Sequence, residues 1–187
     1  MSGYYPVNLK IENKKCVVVG GGKVAERKIN LLLEKGALVT VISPKITSLL
    51  EKLWRATKVN HLPVTYSPSS LKDAFLVIAA SNDRTVNSRV AKDADQLGIL
   101  VNVVDSPAES SFILPAILSR GDLTIAVSTA GKSPALARKI KEDLALVYSD
   151  EYGDLIEMLA QARKRIKRKY PDFQERKKIW KRIMEEI

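Results

Sequence analysis

The residue types that could carry chemistry gather in four short stretches. The run Gly20-Gly21-Gly22-Lys23-Val24-Ala25 follows the apolar Cys16-Val17-Val18-Val19 and sets Gly20, Gly22 and Ala25 in a G-x-G-x-x-A spacing. That spacing suits a dinucleotide. Gly20 permits a tight turn, Gly22 lets backbone approach a pyrophosphate, and small Ala25 lets helix and strand pack closely. Exposed N–H groups at the helix start, with the helix dipole behind them, attract a diphosphate. The same glycines would equally serve a strand–helix turn that binds nothing. The second stretch is Ser43-Pro44-Lys45, at the end of a second strand, where an acidic residue would normally hold the adenosine ribose. Ser43 offers a hydrogen bond and Lys45 suits a 2′-phosphate, so spacing leaves NAD and NADP both open. Ser81-Asn82 and Asp105 end two further strands. Asp105 is the only acidic group immediately at a strand end among these, and two roles are open to it: a general acid or base beside a nicotinamide, or a cap of the Ser106-Pro107 turn.

Other chemistries find no support. There is no Cys/His cluster, no H-E-x-x-H and no carboxylate pair at ligand spacing, so no metal site is expected. The single histidine, His61, has no nucleophile context and is expected to be structural, in a strand at the solvent edge of the sheet.

The elements that must position these residues follow from periodicity. β-branched runs at Cys16–Val19, Leu38–Ile42, Val59–Tyr66, Phe75–Ala80 and Ile99–Val104 predict five strands. Helical patterns over Lys23–Lys35, Ile46–Ala56 and Arg84–Leu97 separate them, with a short helix or turn near Ser69–Lys72. Gly36 and Gly98 mark helix ends, and Ser81-Asn82-Asp83 a helix start. This alternation predicts an α/β fold with a Rossmann-like, doubly wound parallel sheet. Residues 1–15 suggest a lead-in segment or an edge strand. Beyond Asp105 the alternation breaks. Phe112 to Leu118 is apolar around Pro115, Leu123–Ser128 reads as a strand, and Ala135 to about Tyr148 as a helix with Pro134 at its first position. Residues 151–187 are helical and basic. The expected division is a nucleotide-binding domain over 1–112, a dimerisation region over 113–150 and a basic helical segment over 151–187.

Composition sets the outer limits. The 187 residues are 45% hydrophobic and carry a formal net charge of +10. No run is long enough to span a membrane, and the N-terminus lacks a charged n-region and an apolar h-region, so a cytoplasmic protein without membrane association is expected. One cysteine, Cys16, excludes a disulfide framework within the chain. The positive field attracts polyanions, which leaves nucleic acid, anionic lipid and a polycarboxylate small molecule as candidates.

Taken together, G-G-G-K-V-A-E-R-K (20–28), A-A-S-N-D (79–83), N-V-V-D-S-P (102–107), S-F-I-L-P-A (111–116) and A-V-S-T-A-G-K-S-P-A-L-A-R (126–138) closely resemble the precorrin-2 dehydrogenase family of siroheme synthesis. The resemblance covers roughly the first 150 residues. It implies NAD-dependent oxidation of precorrin-2 to sirohydrochlorin, by a homodimer with a small dimerisation region and a C-terminal helical segment. Some relatives also insert ferrous iron, which this sequence does not decide. By the same resemblance Asp105 becomes the general acid/base, and Gly20, Gly21, Gly22, Lys23, Val24, Ser43, Pro44 and Lys45 contact the nucleotide, with Ser81 beside them. Ser128 and Thr129 border the tetrapyrrole cleft. The eight carboxylates of precorrin-2 give the positive charge a cause other than nucleic acid, with Lys132 and Arg138, and further Arg120 and Lys139, as candidate partners. A non-catalytic nucleotide-sensing module is the alternative, and it leaves the 126–138 loop without a role.

Overall fold

The computed structural model describes residues 3–104 and 106–187. It divides into two compact units, Met1–Ile113 and Leu114–Ile187.

In the first unit, five parallel strands form one sheet: β1 (Lys15–Val19), β2 (Leu38–Ile42), β3 (Asn60–Leu62), β4 (Leu76–Ala79) and β5 (Leu100–Val103). Their spatial order is β3-β2-β1-β4-β5. Helices α1 (Lys23–Glu34) and α2 (Ser48–Arg55) connect the strands on the β2 side, and α3 (Arg84–Gln96) connects β4 to β5. The alternation of β1 decides which helix meets which face. Cys16 and Val18 pack with Ala25 and Ile29 of α1 and Leu50 of α2. Val17 and Val19 point the other way, to Val90, Ala91 and Ala94 of α3. Cys16, Val17 and Val18 are all fully buried. A strand covered on both faces must be apolar throughout, which is why C-V-V-V shows no polar alternation.

The fold reverses direction between β1 and β4. Strands added after α1 and α2 run outward on one side of β1, and those after it run outward on the other. Ligands of open α/β sheets bind at such a switch point, beyond the strand carboxyl ends.

Residues 3–14 form no strand, although Asn13 N–H donates to Gly36 O at 2.8 Å. The outer edge of β5 is covered by its own following loop. Ser111 Oγ accepts from Val101 N–H at 2.8 Å and Ser110 Oγ from Val103 N–H at 2.9 Å. Buried Asn102 donates from Nδ2 to Phe112 O at 3.1 Å. The serines thus satisfy edge amides that another chain would otherwise pair.

The second unit starts with an antiparallel hairpin of β6 (Ala116–Arg120) and β7 (Leu123–Val127), followed by α4 (Pro134–Val147), α5 (Glu151–Lys169) and α6 (Phe173–Glu185). The hairpin turn lies against the first turn of α5, where a Cβ on Gly121 would stand 3.1 Å from Gly153 Cα. Arg120 fastens the same corner, with Nε 2.9 Å from Tyr148 O and 3.2 Å from Asp150.

Candidate functional site

The glycine turn sits at the switch point, and its three glycines are glycine for three different reasons. Gly20 has φ +123° and crosses the end of β4, where a Cβ would stand 2.3 Å from Ala80 O. Gly21 is pressed against the loop after β2, and its Cβ would lie 2.2 Å from Lys45 O and 2.9 Å from Ser43 Oγ. Gly22 is the N-cap of α1, and a Cβ there would meet nothing within 4 Å. Protein packing therefore explains Gly20 and Gly21 but not Gly22. No side chain caps α1 either. The first turn of this twelve-residue helix thus has no capping side chain and has open space beside Gly22, near the carboxyl ends of β1 and β4, and that geometry fits a diphosphate.

Lys23 and Val24 occupy the first turn of α1, with Lys23 exposed. Lys23 Nζ lies 3.4 Å from Glu26 Oε1. Glu26, at 8% exposure, also accepts from Thr47 Oγ1 at 2.5 Å. The hydrogen bond from Thr47, ahead of the lysine, holds the Glu26 carboxyl below its usual range. Thr47 in turn caps α2 by accepting from Leu50 N–H at 3.3 Å, and its own N–H donates to Gly21 O at 3.0 Å. The glycine turn, α1 and the start of α2 are thereby locked together.

Ser43, Pro44 and Lys45 run from β2 toward α2, and contact with Gly21 brings them beside the turn. Ser81 follows β4. Its backbone is bracketed by the buried amide of Asn87, which accepts from Ser81 N–H at 3.0 Å and donates to Ser81 O at 2.9 Å. Asp83 Oδ1 caps α3 by accepting from Thr85 N–H at 2.8 Å. The structure thus gathers Gly20–Val24, Ser43–Lys45 and Ser81 at one end of the sheet. Asp105 lies outside the described residues.

The remaining candidates belong to the second unit. Ser128 and Thr129 begin the loop between β7 and α4, where Ala130 (φ +53°) and Gly131 (φ +79°) are left-handed in succession. Thr129 Oγ1 accepts from Ser133 N–H at 3.0 Å, and Ser133 Oγ from Leu136 N–H at 3.3 Å. Lys132 in this loop and Arg138 on α4 are exposed. Arg120 is already engaged by Tyr148 and Asp150, and Lys139 by Asp143.

Sequence reasoning passed over Glu26, Thr47 and Asn87, which hold the glycine turn, the start of α2 and the Ser81 backbone in place. The spacing from Ser81 to Asn87 is a readable signal, since an amide six residues on can return to a strand end. The meeting of Glu26 with Thr47 spans 21 residues and has no local signature. Among the described residues no group of three or more His, Cys, Asp or Glu side chains could hold a metal ion. No described helix is long and apolar enough to cross a membrane.

A family model described as putative NAD(P)-binding matches residues 7–116, one for the sirohaem biosynthesis protein central region matches 120–145, and one for the sirohaem synthase dimerisation region matches 151–186. The dimerisation model thus falls on the helices α5 and α6, and the central model on β7 and α4. Siroheme synthase 1 of Aeromonas salmonicida is 39% identical over 97% of this chain, and the siroheme synthase of Nitrosospira multiformis is 40% identical over 97%. The chain spans 39% of the length of each. The solved structure of SirC, precorrin-2 dehydrogenase, superposes with a TM-score of 0.84 at 31% identity, covering 96% of this chain and 89% of that one. Fold and site define an NAD(P)-binding protein of the Rossmann class. Within that class, the chain belongs to the family of SirC and the siroheme synthases.

Proposed function

We propose that this protein oxidises precorrin-2 to sirohydrochlorin with NAD as hydride acceptor, acting as a homodimer. The observation that carries the proposal is the open, uncapped start of α1 at Gly22, in a chain of which 96% follows the fold of SirC, precorrin-2 dehydrogenase. Gly20–Val24 receive the pyrophosphate on backbone amides, Ser43–Lys45 take the adenosine ribose, and Ser81 borders the nicotinamide half. Bound NAD supplies a two-electron acceptor that removes hydride from carbon. The chain must then orient the tetrapyrrole and take the proton released. Asp105, two residues beyond β5 in sequence, is the residue to which we assign that proton. Ser128 and Thr129 contact the macrocycle, and Lys132 and Arg138 pair with its carboxylates, so the +10 charge serves substrate capture and no nucleic acid is required. In domain terms, 1–112 holds the cofactor and 113–150 serves dimerisation, and the basic helical segment 151–187, which the dimerisation-region model matches, joins it in subunit association.

The direct test is incubation with precorrin-2 and NAD, following NADH absorbance. Stoichiometric NADH is expected, and none with authentic substrate rejects the proposal. Asp105→Ala should lower kcat at least a hundredfold with NAD affinity within about twofold of wild type. Unchanged turnover in that variant removes Asp105 from the mechanism.

A further inference from the structure

His61, the single histidine of the chain, lies on edge strand β3 in register with Val41. Its Nε2 is 2.9 Å from the carbonyl oxygen of Ser43. A carbonyl can only accept, so Nε2 carries a proton. Nδ1 is buried and makes no hydrogen bond. The Trp54 ring stands edge-on to the imidazole, with centroids 5.5 Å apart. The single hydrogen bond of this confined ring therefore goes to the residue that follows β2.

Ser43 is held from other directions as well. Its N–H donates to Leu62 O at 3.2 Å, and its hydroxyl donates to Lys45 O at 2.7 Å. Both Ser43 Oγ and Lys45 O fill the space that a side chain on Gly21 would need. A hydroxyl whose proton is committed inward presents only lone pairs outward. Lone pairs are what an aspartate or glutamate offers the ribose hydroxyls in other dinucleotide sites. They accept from a 2′-hydroxyl and offer no donor to a 2′-phosphate.

We propose that His61 is a positioning residue for the adenosine ribose: its Nε2–H fixes the Ser43 carbonyl so that Ser43 Oγ, its proton held by Lys45 O, accepts from the ribose. This inference rests on the NAD reading above and adds the residue that aims the acceptor. The test compares wild type, His61→Leu and His61→Gln by calorimetric titration with NAD and NADP, and by steady-state kinetics with precorrin-2. Circular dichroism checks that each variant is folded. Losing one hydrogen bond of ordinary strength should raise Kd and KM for NAD about five- to tenfold in His61→Leu. At saturating NAD, kcat should stay within about twofold, and discrimination against NADP should narrow. The Gln amide nitrogen reaches about as far as Nε2 and should restore NAD affinity to within about twofold of wild type. With one histidine, long-range ¹⁵N–¹H spectra of wild type need no assignment; they should show the Nε2–H tautomer and a ring shift on adding NAD. Unchanged NAD affinity in a folded His61→Leu overturns the inference alone, as does a ring protonated only at Nδ1. Wild type that binds no NAD overturns the cofactor reading and this inference with it. Should His61→Leu fail to fold, the wild-type tautomer and His61→Gln decide the matter by the same criteria.

Discussion

Gly20 and Gly22 sit two residues apart and should fail in opposite ways when given a methyl group. At Gly20 the new Cβ meets Ala80 O at 2.3 Å with φ at +123°, so the strand ends must move apart. Gly20→Ala should lose about 2–4 kcal/mol in urea unfolding. At Gly22 the methyl group meets no protein atom. Gly22→Ala should fold with stability within about 0.5 kcal/mol of wild type and still lose NAD affinity tenfold or more, read by calorimetry. Glu26 gives a prediction in pH. Its carboxyl is held below the usual glutamate range, chiefly by the hydrogen bond from Thr47. The unfolded chain therefore takes up the proton first, and the stabilisation is full above the unfolded value and lost as pH falls through the folded one. Thr47→Val should lower stability by roughly 1 kcal/mol at neutral pH, because it also removes the α2 cap, and should flatten the acid limb of a Tm-versus-pH curve below about pH 4.5. A limb as steep as that of wild type would remove Glu26 from the account.

At the scale of elements, β1 and β2 were legible because a strand buried on both faces leaves an uninterrupted apolar run, and α1 because Gly22 and Gly36 bracket it. β3 is shorter than the 59–66 stretch suggested, since only Asn60–Leu62 pair with β2 and the chain then leaves the edge around Pro63. A proline has no amide to offer a ladder, which makes that end a natural exit. The apolar stretch after Phe112 keeps only Ala116 onward as a strand, past Pro115. What periodicity could not show is any feature made by two segments meeting: Glu26 on Thr47, His61 on Ser43, or two serine hydroxyls closing the rim of β5. Ser110-Ser111 reads as loop filler in a sequence, yet Ser110 Oγ accepts from Val103 N–H and donates to Ser106 O, both at 2.9 Å. Ser110→Ala strands the Val103 N–H, while Ser106 O still accepts from Glu109 N–H, and should lower stability by about 1–2 kcal/mol, with faster amide exchange at Val103 by NMR. Exchange at Val77 and Ile78 of central β4 should stay as in wild type.

Across the whole molecule, the two units differ in how they are built. The first holds nearly all the fully buried side chains, including Ile29, Leu50, Leu71 and Ile78. The second contributes only Leu118 and Ala137 to the buried hydrophobic residues, and α5 and α6 have none. Helices of that length with no buried residue gain little from their own unit, and subunit association is a natural source of the missing burial. This is the physical sense in which a dimerisation model on 151–186 suits the chain.

Cys16, the second residue of β1, offers a way to observe the first unit without the second. Its thiol is fully buried, and burial pushes its pKa up to about 11, so the folded chain presents neither access nor thiolate to a thiol reagent. There is no other cysteine. The rate of Cys16 labelling therefore clocks the opening of the sheet around it. A ligand that binds only the closed sheet slows that clock by the factor 1 + [L]/Kd. NAD at about a hundred times its wild-type Kd should retard labelling about a hundredfold in wild type and about tenfold or less in Gly22→Ala at the same concentration. A single sulfur atom on the first strand thus reports cofactor occupancy at the end of that strand, with no tetrapyrrole in the tube and no turnover to wait for.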